Sequence, residues 1–261
     1  QRTPQPPSGA LGPPPQFAGW AALRPFVLRS GSQFRADPSE LFDLGSDAYT
    51  RDFAEVKRLG GLASSDRTAE QSEIARFWPA AGANGNLVTR VIVAGRGLDP
   101  WEHARLFALV NMANSDSAIA AFDTKFTYNF WRPVTAIRAA ETDGNPATAA
   151  DPAWLSYQPT PPYPDYTCGL TNAVGSTSEV LRRYFRTDAL PYTVSTSPPV
   201  SPQLTRSYAT LSAAEAEAVD ARVFGGMHFR TGCRRGVIQG NQVGRFVFQH
   251  SLRPLRGKRA D

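Results

Sequence analysis

The run from Trp101 to Phe126, WEHARLFALVNMANSDSAIAAFDTKF, is the longest stretch of helical periodicity in the chain, and the remaining elements must be arranged around it. Pro100 stands where a first helical turn accepts proline. Ala113, Ser115, Ala118, Ala120 and Ala121 are small enough to let neighbouring helices come close. Asn111, Asn114, Asp116 and Asp123 put polar groups on a side that such neighbours would bury. A helix of this kind suits the middle of a bundle whose interior is hydrogen-bonded or functional. It does not suit a membrane, because Asn111, Asn114, Asp116 and Ser117 interrupt its apolar positions.

Shorter helical patterns surround it. One begins near Ser46, with Tyr49, Phe53, Val56 and Leu59 on one face and Gly60–Gly61 closing it. Thr68 and Gln71 form a capping-box pair for a second, which ends before Pro79. A third spans Asn86–Ala94, with Gly95 and Gly97 beyond it. Gly169–Phe185 reads as a helix, as does a Ser212-capped segment from Leu211 through Arg222 towards His228. The last helix is expected over Gly236–Leu252. Residues 141–167 and 187–202 are loop by their proline content. There is no series of strands and turns, no GxGxxG and no GxxxxGK[ST], so the expected fold is all-α. The division expected is a proline-rich extended arm or linker at 1–40, a helical domain at 41–255 and a basic tail at 256–261. Trp20, Phe26 and Phe34 are the arm's candidate anchors.

The net charge of +5 comes mainly from arginine, scattered along the chain. No basic run carries the interleaved aromatics that track a nucleic-acid backbone, so a small anionic ligand accounts for the charge better. The only cysteines, Cys168 and Cys233, allow one disulfide, which would fit an extracellular or secreted protein. Gln1 in place of methionine suggests a processed or trimmed product.

Three separated segments look built for more than packing. The first, FDTKFTYNFWRPVTAIR, sets Lys125 and Arg132 two helical turns apart, with Pro133 forcing a kink or an end near Trp131 and Arg132. The second, PPYPDYTCGLTNAVGSTSEVLRRYF, turns from a proline-rich loop into a helix N-terminus at Gly169, where free N–H groups favour an anion. The third, ARVFGGMHFR, places Arg222 and His228 around Gly225–Gly226. Burying so many cations is costly without an anion. A tetrahedral oxyanion would supply it; structural ion pairs, with Asp123 or Asp165 for example, are the plainer alternative.

These segments, in this order, resemble the vanadium-dependent haloperoxidase and type-2 phosphatidic acid phosphatase superfamily, most of all its bacterial haloperoxidase-like branch. The likeness covers about residues 45–250. It implies an all-α helical bundle around a vanadate or phosphate, and, since many members carry a further helical half, that this chain is a C-terminal half. Lys125, Arg132 and Arg222 match the family's oxyanion-binding cations, and Gly169 the glycine whose N–H reaches the anion. His228 matches the histidine that coordinates vanadium in haloperoxidases and attacks phosphorus in phosphatases; no other metal ligand is implied.

The chain departs from the pattern elsewhere. Family Pro-Ser-Gly-His is here Thr167-Cys168-Gly169-Leu170, so the acid–base histidine is a leucine and the anion-facing serine a cysteine. Ala221 replaces the serine before the third-segment arginine, and Gly232 stands where an aspartate would orient His228. Losing the acid removes on the order of 10²–10⁴ in rate. Losing the orienting carboxylate costs about 10⁴ in serine proteases. In the family fold Cys168 and Cys233 would fall beside the anion, and the resemblance suggests a disulfide across the old pocket, worth roughly 4 kcal/mol for a loop of this size.

The expectation is therefore a retained cationic oxyanion pocket without efficient vanadium haloperoxidase activity. The chemistry would need no obligatory cofactor, with vanadate or phosphate admissible, and would be either cofactor-independent or directed at a diphosphate. The rival is an inactive secreted binding or assembly module, with a homo-oligomer or other assembly partner.

Overall fold

The computed structural model describes residues 16–38, 40–197 and 202–253. Pro13–Pro15 and the basic tail at 256–261 lie outside them. Among the described residues the helices are α1 Asp47–Leu59, α2 Ala69–Phe77, α3 Gly85–Val93, α4 Pro100–Tyr128, α5 Pro133–Arg138, α6 Gly169–Phe185, α7 Leu211–Phe224 and α8 Arg230–His250. Strands β1 Tyr192–Ser195 and β2 Thr205–Tyr208 pair antiparallel, with Tyr192 opposite Tyr208. The loop expected over 187–202 thus contains a short strand. The protein is nevertheless helical in its architecture.

The capping chemistry explains most helix starts. Thr68 and Gln71 form the expected reciprocal box at α2, and Asp99 with Glu102 forms another at α4. At α7 the cap is Thr210 rather than Ser212, its hydroxyl accepting from Ala213 N–H. α8 begins six residues before Gly236, at Arg230.

α4 is the central element, with α6 and α8 packed against it and against each other. The α6–α8 crossing is tight because glycines line it. A Cβ at Gly236 would come within 2.6 Å of the Cys168 carbonyl oxygen, and one at Gly244 within 2.6 Å of that of Ser176. This approach sets the N-terminus of α6 beside the first turn of α8.

The polar positions of α4 serve structure. Buried Asp116 accepts from the backbone N–H groups of Phe26, Val27 and Leu28 at 2.7, 2.8 and 2.9 Å, which fastens the N-terminal segment. Asn114 accepts from Ser176 and Thr177, Asn111 exchanges amide bonds with Asn86, and Asp123 binds Arg35 at 2.7 Å. Of the proposed anchors, Trp20 packs on Phe122 and Phe34 on Phe246, whereas Phe26 is 72% exposed. Phe26 is held by its backbone.

Lys125 and Arg132 do not share a helix. α4 ends at Asn129, whose φ of 51° is tolerated by a short polar side chain, and Arg132 is the N-cap of α5. The chain turns between them, and both side chains still reach one site.

Candidate functional site

The site lies where the C-terminal end of α4, the N-cap of α5, the loop 163–168, the start of α6 and the turn between α7 and α8 meet. Lys125, Arg132, Asp165, Thr167 and Cys168 are fully buried, and His228 and Arg222 are nearly so.

The 163–168 loop presents carbonyl oxygens to the cations. Lys125 Nζ donates to Pro164 O at 2.9 Å and Asp165 O at 2.8 Å. Burial, then the repulsion of Arg132, pushes the Lys125 ammonium down to about 7. Arg132 Nε donates to Tyr163 O, and its Nη1 donates to Met227 O at 2.7 Å and to His228 Nε2 at 2.9 Å. Its Nη2, although buried, has no partner. Arg222 is 6% exposed; Nη2 reaches Met227 Sδ at 3.3 Å and Nε has no partner. Two guanidinium donors are therefore left open inside the protein, a state that a tetrahedral oxyanion would satisfy.

Gly169 opens α6 against Lys125. A Cβ there would meet nothing nearer than Lys125 Cε, at 4.0 Å, so the glycine leaves free space on the cation's flank. As the first helical residue, it has a backbone N–H without an intrahelical acceptor. The donor set fits a phosphate-sized oxyanion such as vanadate: two free guanidinium N–H groups, a helix N-terminus and an ammonium.

His228 sits in the α7–α8 turn, which Gly226 makes possible at φ 73°; a Cβ there would run into the backbone carbonyl of Gly60. Its Nδ1 lies 2.7 Å from Asp165 Oδ1, although the two are not aligned as a regular hydrogen bond and neither carboxylate oxygen accepts a hydrogen bond from another group. Arg132, a permanent donor, faces Nε2, and a carboxylate faces Nδ1, so the tautomer compatible with both carries its hydrogen on Nδ1. Asp165 also lies 3.9 Å from Arg132 Nη1. The expectation that His228 has no orienting carboxylate is thus corrected: Gly232 supplies none, but Asp165 does. A Cβ at Gly232 would stand 3.0 Å from Asp165 Oδ2, so the aspartate fills the room that the missing side chain leaves. Sequence reasoning had placed Asp165 only among structural ion pairs. Its signal was a lone carboxylate among prolines just before the helix N-terminus.

Leu170, at the position of the absent acid–base histidine, packs against Cys168, Val219 and Cys233. The two cysteines are buried free thiols, so the disulfide expected across the pocket is not formed in this structure. Burial alone would raise the Cys168 thiol. A hydrogen bond with Cys233, the charge and hydrogen bond of His228 and the charge of Arg222 outweigh it and hold the thiol well below its ordinary value. Burial and the neighbouring Cys168 push Cys233 the other way. An open groove of about 700 Å³ along Lys57, Arg58, Leu62 and Trp154 shares no residue with this cluster.

Comparison with known proteins gives these residues a lineage. Vanadium chloroperoxidase of Curvularia inaequalis is 28% identical over 186 residues, covering 58% of this chain and 30% of that protein. A bacterial vanadium-dependent iodoperoxidase structure superposes with a TM-score of 0.76 at 27% identity, over 90% of this chain and 57% of that one. A holo-type bacterial vanadium-dependent chloroperoxidase shares the fold, with a TM-score of 0.73 at 24% identity over 89% of this chain and 54% of the other. The chain therefore spans between about three tenths and three fifths of these relatives. The VCPO second helical-bundle domain matches residues 105–257, more than half of the sequence and all of the cationic site, and the chain belongs to that family.

Proposed function

We propose that this chain holds a tetrahedral oxyanion, or the phosphoryl group of a small molecule, in the cradle of Lys125, Arg132, Gly169 and Arg222, without being an efficient vanadium haloperoxidase. The observation that carries this reading is the pair of buried, unpartnered guanidinium atoms, Arg132 Nη2 and Arg222 Nε. Vanadate bound there would supply a Lewis-acidic centre for oxidising a halide with peroxide, as the relatives' names indicate. In this chain the residues would bind and neutralise the anion; Asp165 lies against His228 Nδ1, and Nε2, which meets Arg132 Nη1, would turn to the anion by exchanging that partner. Leu170 can neither give nor take a proton. A substrate whose leaving group needs protonation would therefore turn over slowly, by on the order of 10²–10⁴, whereas a diphosphate leaves as a stable anion. His228 would attack phosphorus, the P–O bond would break with its electron pair going to the leaving phosphate, and water would later release the phosphoryl group from the imidazole. The same cradle supports cofactor-independent stabilisation of an enolate-like oxyanion.

One observation favours a second reading, a binding or assembly module with no turnover. Lys125 and most of Arg132 are already satisfied by backbone carbonyls, and Asp165 supplies a counter-charge. Melting temperature with phosphate or orthovanadate, against chloride at equal ionic strength, separates the two. A ligand at a hundred times its Kd should stabilise by about 2.7 kcal/mol. An unchanged melting temperature with both anions sinks the oxyanion reading.

A further inference from the structure

The cations of the site lie behind a wall one ring thick. The Tyr163 ring is 5.1 Å from Lys125 Nζ and 4.9 Å from the Arg132 guanidinium carbon, and the Phe17 ring is 6.0 Å from that of Tyr163. Tyr163 is half-buried, whereas both cations are fully buried. The wall belongs to the loop whose carbonyls take the cations' donors, Arg132 Nε on Tyr163 O and Lys125 Nζ on Pro164 O. From outside, that loop is held by the N-terminal segment. Gln16 N–H donates to Pro162 O at 3.2 Å, Phe17 meets Phe122 as well as Tyr163, and Trp20, in the short helical turn Ala18–Ala22, packs on Phe122. Phe17 has φ 61°, which a bulky residue adopts only where its surroundings impose it. Yet Phe17 and Trp20 are 44% and 38% exposed, so this end of the segment separates more easily than the part fastened by Asp116.

We propose that the Tyr163 and Pro164 carbonyls are an internal competitor for the anion, and that residues 16–22 are the strap that keeps them on Arg132 and Lys125. The inference rests on the oxyanion reading of the cradle. Without an anion, the two carbonyl oxygens offset part of the cost of burying the charges. With one, its charged oxygens take the same donors and the carbonyls turn outwards. The Tyr163 ring must give up Phe17 and Phe122 for its backbone to turn, so the strap sets how often the loop opens. The apparent affinity is then the intrinsic one reduced by the fraction of molecules with the loop open. One peptide group makes the opening visible. Pro164 C=O and Asp165 N–H share a plane, so a carbonyl that leaves Lys125 also takes the N–H off Phe130 O, where it now donates at 2.9 Å. Asp165 keeps its carboxylate against His228 meanwhile, since only the peptide on its N-terminal side turns.

The test compares the full chain with its Phe17→Ala/Trp20→Ala variant, whose altered side chains are half in water and lie outside the cradle. Amide hydrogen exchange at Asp165 should quicken about tenfold in the variant, the scale set by the lost aromatic contacts with Tyr163 and Phe122, while the amides of α6 and α8 stay unchanged. The apparent Kd for inorganic phosphate should tighten by the same factor, because both measurements follow one opening equilibrium. Saturating phosphate should expose the Asp165 amide in either protein. Phe17→Ala alone should move both in the same direction by less, which preserves the comparison if the double variant folds poorly. Unchanged exchange at Asp165 overturns the proposal, as does faster exchange with phosphate binding unaltered or weakened. Faster exchange where neither protein binds phosphate leaves the strap standing and sinks the oxyanion reading.

Discussion

His228 Nδ1 lies 2.7 Å from Asp165 Oδ1, and Asp165 Oδ2 occupies the space that a side chain on Gly232 would need. One carboxylate has thus been placed where His228 requires it, from a loop some sixty residues upstream. The two positions must then be coupled. Gly232→Ala should destabilise the wild-type protein, because its Cβ crowds a buried carboxylate that cannot move. In an Asp165→Ala background the same change should cost less. A double-mutant cycle by urea unfolding should give a coupling of about 0.5–3 kcal/mol; additivity within experimental error would show that the two side chains do not compete for space.

Lys125 makes stability depend on pH. Its folded value of about 7 lies below the usual lysine value, so above pH 7 the unfolded chain binds more protons and stability rises. The penalty for burying the charge is fully present below about pH 7 and is relieved as pH climbs towards the unfolded value. Cys168, held low when folded, adds to the rise below its ordinary value, whereas Cys233 stays protonated in both states in that range. Between pH 7 and 8.5 stability should rise, with up to about 1.4 kcal/mol per pH unit from Lys125 alone. Chemical denaturation of Lys125→Met should show a shallower slope. An identical slope would place the titration elsewhere.

Anion binding should carry the opposite pH dependence. A bound phosphate favours the charged ammonium, so binding above pH 7 draws a proton onto Lys125. Phosphate affinity, measured by calorimetry in two buffers of different ionisation heat, should fall from pH 7 to 9 with proton uptake. Proton release on binding would contradict this.

Asp116 fastens the N-terminal segment through three backbone N–H groups. Bonds to a charged acceptor contribute about 1.5–3 kcal/mol each and are not additive, so Asp116→Ala should cost on the order of 3 kcal/mol. Limited proteolysis should then cut around 20–35 before the rest of the chain. Wild-type resistance in the variant would show that the segment is held by its aromatic contacts.

Gly226 has a backbone conformation that L side chains rarely adopt, and its α-carbon faces the Gly60 carbonyl. Gly226→Ala should destabilise by more than about 1 kcal/mol and displace His228. Loss of phosphate binding at a temperature where the variant stays folded would be its functional mark.

The parts of the fold governed by local rules could be read in the sequence. The α2 capping box, the proline at the head of α4 and the glycine that opens α6 follow from residues within a few positions of each other. The short β1–β2 pair could not, since proline masks it and its partner segment lies ten residues away. The site divides in the same manner. Lys125, Arg132, Arg222, His228 and Gly169 were marked by spacing, whereas the role of Asp165 depends on a loop folding back onto the α7–α8 turn. The disulfide expected between Cys168 and Cys233 is not formed: spacing placed the two residues together, and they lie in one buried cluster as free thiols.

A crystal structure of the chain grown with phosphate or orthovanadate tests the central claim most directly. The account predicts a tetrahedral anion within hydrogen-bonding distance of Arg132 Nη2, Arg222 Nε and the Gly169 N–H, with His228 still against Asp165. A ligand-free site in which both guanidinium groups have turned to protein or water partners would contradict it.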